Sequence, residues 1–203
     1  MTFHLVKVGG SLIGCAKEVM RSLGRISGHG FLVVPGGGPM ADLVRELWSM
    51  GQLSLEASHW MAVLAMEQYA YLLADGTGAA MTDKVGRVSG VAVLRPYSSL
   101  QVDDAGLEHT WEYTSDAVAA LAAARLDVDL IKLTDVSGVL IGGRQAEVVA
   151  ASDMLGIPSC IDNGALRILI QSGRSARVLD GRDPSKLADL ILFGQGGTTI
   201  LGR

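Results

Sequence analysis

The stretch Lys7-Val8-Gly9-Gly10-Ser11-Leu12 places a cation at the end of a β-branched run and two side-chain-free residues at its tip. Such a tip lets backbone N–H groups approach phosphate oxygens, while the lysine supplies a point charge. The plainer account is a tight strand-to-helix turn, with Lys7 solvated at a sheet edge. A second stretch, Pro35-Gly36-Gly37-Gly38-Pro39, follows an apolar run and opens a helical pattern, so its free amides and the helix dipole predict a second anion site. Two facing anion sites suit chemistry that brings two phosphates together. Thr114-Ser115-Asp116 stands at a helix start, where Ser115 or Asp116 caps the helix or, functionally, a carboxylate orients Lys7 or a Mg²⁺-bound phosphate. Lys132 alternates with Ile131 and Leu133 and reads as a lysine snorkelling from a sheet face.

His59-Trp60 and His109-Thr110-Trp111 each pair an imidazole with an indole, an arrangement able to stack on a flat substrate ring. Trp60 also shares a helical face with Leu64, Glu67 and Tyr71, which makes core packing the competing account. Glu67 is a carboxylate on that same face. The four histidines are too dispersed for a metal site by spacing. Gly36, Gly38 and Ala41 fit a G-x-G-x-x-A dinucleotide fingerprint with Glu56 about 20 residues on, but that fingerprint ordinarily opens the fold at its first strand. No Gly-Lys-Ser/Thr phosphate loop and no Gly-x-Ser-x-Gly elbow occurs.

Composition narrows the classes. The chain has 203 residues, 49% hydrophobic and 19% charged, which supports one sizeable core and excludes a disordered or fibrous chain. The 26 Gly against 5 Pro follow no period and read as turns and close approaches. A net charge of −4 without charged runs argues against nucleic acid or an anionic membrane as partner. No apolar stretch reaches bilayer length and no secretory signal is visible, so a cytoplasmic location is expected. Cys15 and Cys160 are expected to be free thiols.

The elements that must position these residues alternate. Strands are expected at Phe3–Val8, Gly30–Val34, Val91–Leu94, Asp129–Leu133, Ala176–Leu179 and Thr198–Leu201, with Val139–Ile141 as a hairpin arm turning at Gly142-Gly143. Helices are expected after Gly10, at Met40–Met50, at Ala57–Ala74 capped by Ser54, from Ser115 to Arg125, at Asn163–Ser172 and at Pro184–Phe193. Pro96 reads as a break and Gln101–Glu112 as an acidic loop. The alternation predicts one α/β domain over residues 1–203, with ligands at strand ends.

Taken in order, Lys7-Val8-Gly9-Gly10-Ser11, Pro35-Gly36-Gly37-Gly38-Pro39, Thr114-Ser115-Asp116 and Leu133-Thr134-Asp135-Val136-x-Gly138 resemble the amino acid kinase superfamily, and Asp180-Gly181-Arg182-x-Pro184 extends the likeness almost end to end. The resemblance implies a three-layer αβα sandwich with a mainly parallel central sheet, of the carbamate kinase-like fold. Ser58-His59-Trp60 with its following helix, and His109-x-Trp111-x-x-Thr114-Ser115-Asp116, are similar to the branch serving methanofuran biosynthesis. That branch implies ATP-dependent phosphorylation of [5-(aminomethyl)furan-3-yl]methyl phosphate to its diphosphate, with Mg²⁺. Kinases for another small acid or a nucleotide monophosphate, and a non-catalytic anion-binding relative, are the alternatives.

Carried over, the resemblance implies Lys7, Gly9, Gly10 and Ser11 at the nucleotide phosphates and Asp116 as their organiser. It implies Thr134, Asp135 and Gly138 at the nucleotide, and Gly36, Gly37, Gly38 and Ser115 on the acceptor side with His59, Trp60 and Trp111. Many superfamily members carry a second lysine before a C-terminal helix. The matching stretch here, Ile161 to Arg167, has none, which leaves that role between Lys132 and Arg167. The resemblance also implies a homodimer or higher homo-oligomer, with Ala57–Leu73 as a candidate surface and buried core as its alternative.

Overall fold

The computed structural model describes residues 1–203. In chain order the elements are β1 (Thr2–Val8), α1 (Ala16–Arg25), β2 (His29–Pro35), α2 (Gly38–Ser49), α3 (Leu55–Ala74), β3 (Ala80–Thr82), β4 (Gly90–Leu94), α4 (Pro96–Leu100), α5 (Ser115–Leu126) and β5 (Leu130–Thr134). There follow β6 (Leu140–Ile141), β7 (Arg144–Gln145), β8 (Val148–Ala150), α6 (Asn163–Ser172), β9 (Ala176–Asp180), α7 (Leu187–Leu192) and β10 (Thr198–Leu201). Short 3₁₀ turns occupy Gly10–Cys15, Ala151–Met154 and Pro184–Lys186.

Eight strands form one sheet in the order β3-β4-β2-β1-β5-β9-β10-β8, and β6-β7 is a separate hairpin. Every pairing in the large sheet is parallel except β9 with β10. Side chains alternate between faces along each strand. Leu5, Leu32, Val34 and Leu130 therefore face a core shared with α5 and α6, while Val6, Phe31, Val33 and Ile131 face a core shared with α1 and α7. Helices on both faces of a mainly parallel sheet make the expected αβα sandwich. The dinucleotide fingerprint is misplaced for its own order: its Gly-rich turn follows β2, whereas β1, the inner strand at which the strand order reverses, ends instead at Gly9-Gly10.

Helix α3 is capped as expected: Ser54 Oγ accepts from Ala57 N at 3.1 Å. It feeds both cores, with Val63 and Met66 in one and Tyr69, Ala70 and Leu73 in the other, while Leu64 and Tyr71 face outward. The inward-facing α3 side chains are thus spent inside the protein's own cores. No helix is long and apolar enough to cross a membrane.

Several expectations change. Pro96 does not end structure but starts α4, where its missing N–H costs nothing in the first turn. The Pro184–Phe193 helix divides into a 3₁₀ turn and the short α7. Helix α2 begins at Gly38, with Pro39 inside its first turn. Strands β3 and β8 carry no sequence signal because each is three residues long, and the two form the edges of the sheet.

Candidate active site

Lys7 and Lys132 are Cα register partners on the adjacent parallel strands β1 and β5. Both fall on the sheet face covered by α5, where Asp116 sits in the first helical turn. Lys7 Nζ lies 2.9 Å from Asp116 Oδ1, and Lys132 Nζ donates to Asp116 Oδ2 and to the Cys160 carbonyl. All three residues are at most 6% exposed, so neither the solvated reading of Lys7 nor the snorkelling reading of Lys132 holds. A buried charge must be paired, and one carboxylate here holds two ammonium groups. Within the three residues positive charge is in excess, and the nearby Asp162 carboxylate offsets part of it.

The electrostatics follow from this. Burial acts to raise the Asp116 pKa, but Lys132 and Lys7 outweigh it and hold the carboxyl well below the usual carboxylate range. Burial lowers the Lys7 pKa, with Asp116 opposing and Lys132 adding to the shift.

Asp116 is positioned by Asp162 rather than by its own neighbours. Thr114 is the N-cap of α5 without a side-chain cap of its own, contrary to the expectation for Ser115 or Asp116. Asp162 Oδ2 accepts from Thr114 N at 3.0 Å, Thr114 Oγ1 at 2.6 Å and Ala117 N at 3.3 Å, while its Oδ1 accepts from Ala165 N at 2.6 Å. One carboxylate thereby caps α5 and α6 together. Burial, then the nearby Asp116 charge, raises the Asp162 pKa.

The glycines work by close approach. A Cβ on Gly10 would strike the Gly38 backbone, and one on Gly36 would lie 2.6 Å from Gly10 N; the two turns touch because neither has side chains. Gly9 N donates to Leu133 O at 2.9 Å and Gly36 N to Val8 O at 2.8 Å. Those two amides therefore extend the sheet and are committed, which corrects their assignment as phosphate donors. Gly38 and Gly10 open helical turns, whose first N–H groups lack intrahelical partners. Tyr69, fully buried, donates its hydroxyl to Gly9 O at 3.2 Å and braces the turn from α3.

Two cavities open at residues adjoining the lysine cluster, none of whose three members lines either one. One, of about 480 Å³, is lined by Gly10, Ser11, Gly37, Gly38, Thr114 and Ser115 near the cluster, and by Arg45, His59, Val63, Met66, Trp111 and Tyr113 beyond it. The other, of about 500 Å³, is lined by Asp135, Val136, Ser137, Gly138, Pro158, Ser159, Cys160 and Arg182. Cys160 belongs to the second cavity and its carbonyl holds Lys132. Ser11 belongs to the first, and its hydroxyl lowers the Asp135 pKa. Thr134 is buried and donates to Asp135 Oδ1 at 3.2 Å.

The predicted aromatic residues separate. His59 and Trp111 line the first cavity. Trp60 does not: its indole N–H donates to Glu56 Oε1 at 2.7 Å, and its ring packs edge-on against His59, Tyr97 and His109. Glu56, the residue at the ribose-binding place of the dinucleotide reading, is occupied by Trp60 and His109. Glu67 accepts from Ser98 N and Oγ at 2.9 and 3.0 Å and stands outside the cavity. Arg167 pairs with Glu112 on the surface at 2.7 Å, away from the lysine cluster.

Sequence reasoning missed Arg45, whose guanidinium lies 4.7 Å from the Trp111 ring centroid and 2.9 Å from Asp42 Oδ1. The i, i+4, i+7 spacing of Gly38, Asp42 and Arg45 was the available signal. No three His, Cys, Asp or Glu side chains converge as a metal cage.

No protein-family model matches the chain. It is 31% identical over 202 residues to the [5-(aminomethyl)furan-3-yl]methyl phosphate kinase of Methanocaldococcus jannaschii, covering 93% of this chain and 92% of that one. It is 28% identical over 189 residues to the uridylate kinase of Methanoregula boonei, covering 84% of this chain and 80% of the relative. Among solved structures, the uridylate kinase of Archaeoglobus fulgidus matches 98% of this chain and 100% of its own with a TM-score of 0.71 at 21% identity, a likeness of fold. With this fold, and with kinases as its named relatives over nearly its whole length, the chain belongs to the amino acid kinase superfamily and is a small-molecule kinase.

Proposed function

We propose that the protein transfers the γ-phosphoryl group of ATP to a phosphate monoester, and that the ester is [5-(aminomethyl)furan-3-yl]methyl phosphate, the compound in the name of the M. jannaschii relative. The observation that carries this reading is the buried Lys7–Asp116–Lys132 cluster, whose neighbours line two cavities: Thr114 and Ser115 the one, and Cys160, the carbonyl partner of Lys132, the other. Donor and acceptor phosphates repel, and two lysines fixed on one carboxylate neutralise them where they must meet.

The acceptor occupies the cavity over Gly37 and Gly38, its phosphate at the start of α2 beside Thr114 and Ser115. The nucleotide occupies the cavity beside Asp135 and Gly138, with its terminal phosphates toward Lys7 and Lys132. An acceptor phosphate oxygen attacks the γ-phosphorus in line, the bond to the β-phosphate oxygen breaks, and ADP departs. The acceptor oxygen is already ionised, so no general base is needed. Asp116 stays ionised and keeps both lysines pointed at the transferring group. Magnesium enters on ATP as part of the substrate and shares its charge; Asp135, a carboxylate held low beside the nucleotide cavity, is the side chain placed to meet it.

A nucleoside monophosphate is the second reading, favoured by the uridylate kinase likeness. ADP release measured with each acceptor separates the two. Release with the aminomethylfuran phosphate and not with UMP supports the first reading, and the reverse replaces it.

A further inference from the structure

Two residues that line the acceptor cavity each carry a buried ring nitrogen with no hydrogen-bond partner, His59 Nε2 and Trp111 Nε1. His59 is only 7% exposed. Buried polar atoms left unpaired are costly, so both mark places where a ligand supplies the missing partner. The indole N–H can only donate, so the partner it lacks is an acceptor. The imidazole can do either, and its surroundings decide which.

His59 stacks on His109 with ring centroids 3.9 Å apart and planes 11° from parallel. His109 is gripped at both nitrogens, Nδ1 by Glu56 Oε2 at 2.5 Å and Nε2 by Asp104 Oδ2 at 3.2 Å. Burial opposes its protonation, but the two carboxylates prevail and raise its pKa. For His59, burial and then the His109 charge push the pKa down to about 4. His59 is thus a neutral ring backed by two carboxylates and one imidazolium, an array with negative charge in excess. The other charged pair at the cavity, Asp42 with Arg45, is neutral as a pair.

We infer that His59 Nε2 accepts a hydrogen bond from a primary ammonium on the acceptor molecule, and that the Glu56–His109–Asp104 array behind it makes the cavity select an amine-bearing phosphate ester over the corresponding alcohol. The Nδ1-H tautomer of His59 leaves Nε2 free to accept. The wall near Lys7 suits a phosphate and the wall at His59 suits a cation, so the cavity fits a zwitterion. This inference rests on the proposed acceptor reading and adds the group that is recognised.

The test uses the full-length protein with [5-(aminomethyl)furan-3-yl]methyl phosphate and its 5-hydroxymethyl counterpart, by steady-state kinetics with MgATP and by calorimetry without nucleotide. The wild type should favour the amine by about tenfold or more in kcat/KM and in Kd, the order expected for one buried hydrogen bond. His59→Phe should bring the amine down to the level of the alcohol, and His59→Gln, which offers an amide oxygen, should restore part of the preference. Equal treatment of the two compounds by the wild type, or a preference that survives in His59→Phe, overturns the inference. If neither compound is phosphorylated, the acceptor reading fails, and the calorimetric comparison still decides the role of His59: a tighter amine upholds it, and equal or absent binding overturns it.

Discussion

Lys7 and Lys132 stand side by side in register on β1 and β5 and share the two oxygens of Asp116. The pairing favours Lys132 over Arg167 as the proposed second cation, because Arg167 pairs with Glu112 at the surface. Lys132→Met leaves Asp116 paired with Lys7, so the variant keeps a neutralised carboxylate and folds. It should lose on the order of 10²–10³ in kcat, as for removal of one strong electrostatic donor. Arg167→Ala should stay within a few fold of wild type. Steady-state kinetics with saturating ATP compares them, and the reverse ranking would return the role to Arg167.

Removing the double cap should be felt as stability. Asp162→Ala strips the side-chain cap from α5 and α6 at once, at about 1 kcal/mol per helix and so roughly 2 kcal/mol in all. Asp162→Asn retains one acceptor oxygen and should lose about half of that. Urea denaturation reads both, and a loss confined to a few tenths would show that the caps are replaced by solvent.

The strand-end positions of Lys7, Thr134 and Asp135 and the two glycine turns were legible, because a β-branched run broken by Gly or Asp announces a parallel strand and its ligand-facing end; that the turns touch is tertiary. Residue types could also place Lys132 on a strand. They could not show that β5 lies beside β1, which depends on sheet order and is what converts a snorkelling lysine into a buried partner. Asp162 reads locally as the cap of α6, but its reach across 48 residues to Thr114 is tertiary. Trp60 and Trp111 look alike in sequence, each beside a histidine. Only packing shows one indole tied to Glu56 and the other lining the cavity.

The two stacked imidazoles should titrate in opposite directions. NMR should find His59 neutral until about pH 4, and His109 should stay protonated above the ordinary 6.5. Between pH 6.5 and 4 the unfolded chain binds the His59 proton that the folded chain refuses, so this histidine costs stability as pH falls through that window. The His109 contribution has the other sign, present below 6.5 and lost as pH rises through its folded pKa. His109→Gln removes the stacked charge and should raise the His59 pKa; an unchanged value would mean that the stack is not felt.

Acceptor recognition should depend on Trp111 more than on Trp60. Trp111→Ala removes a cavity wall and the ring beneath Arg45, and should raise the acceptor KM about tenfold or more with the ATP KM nearly unchanged. Trp60→Phe acts only by releasing Glu56, with a smaller rise. An acceptor KM indifferent to Trp111→Ala would remove the indole from the acceptor site.

Transfer of a phosphoryl group onto a phosphate is read by phosphorus NMR of the protein with MgATP and [5-(aminomethyl)furan-3-yl]methyl phosphate. New diphosphate ester resonances should grow together with those of ADP; an acceptor signal that stays unchanged while ATP is bound would rule the transfer out.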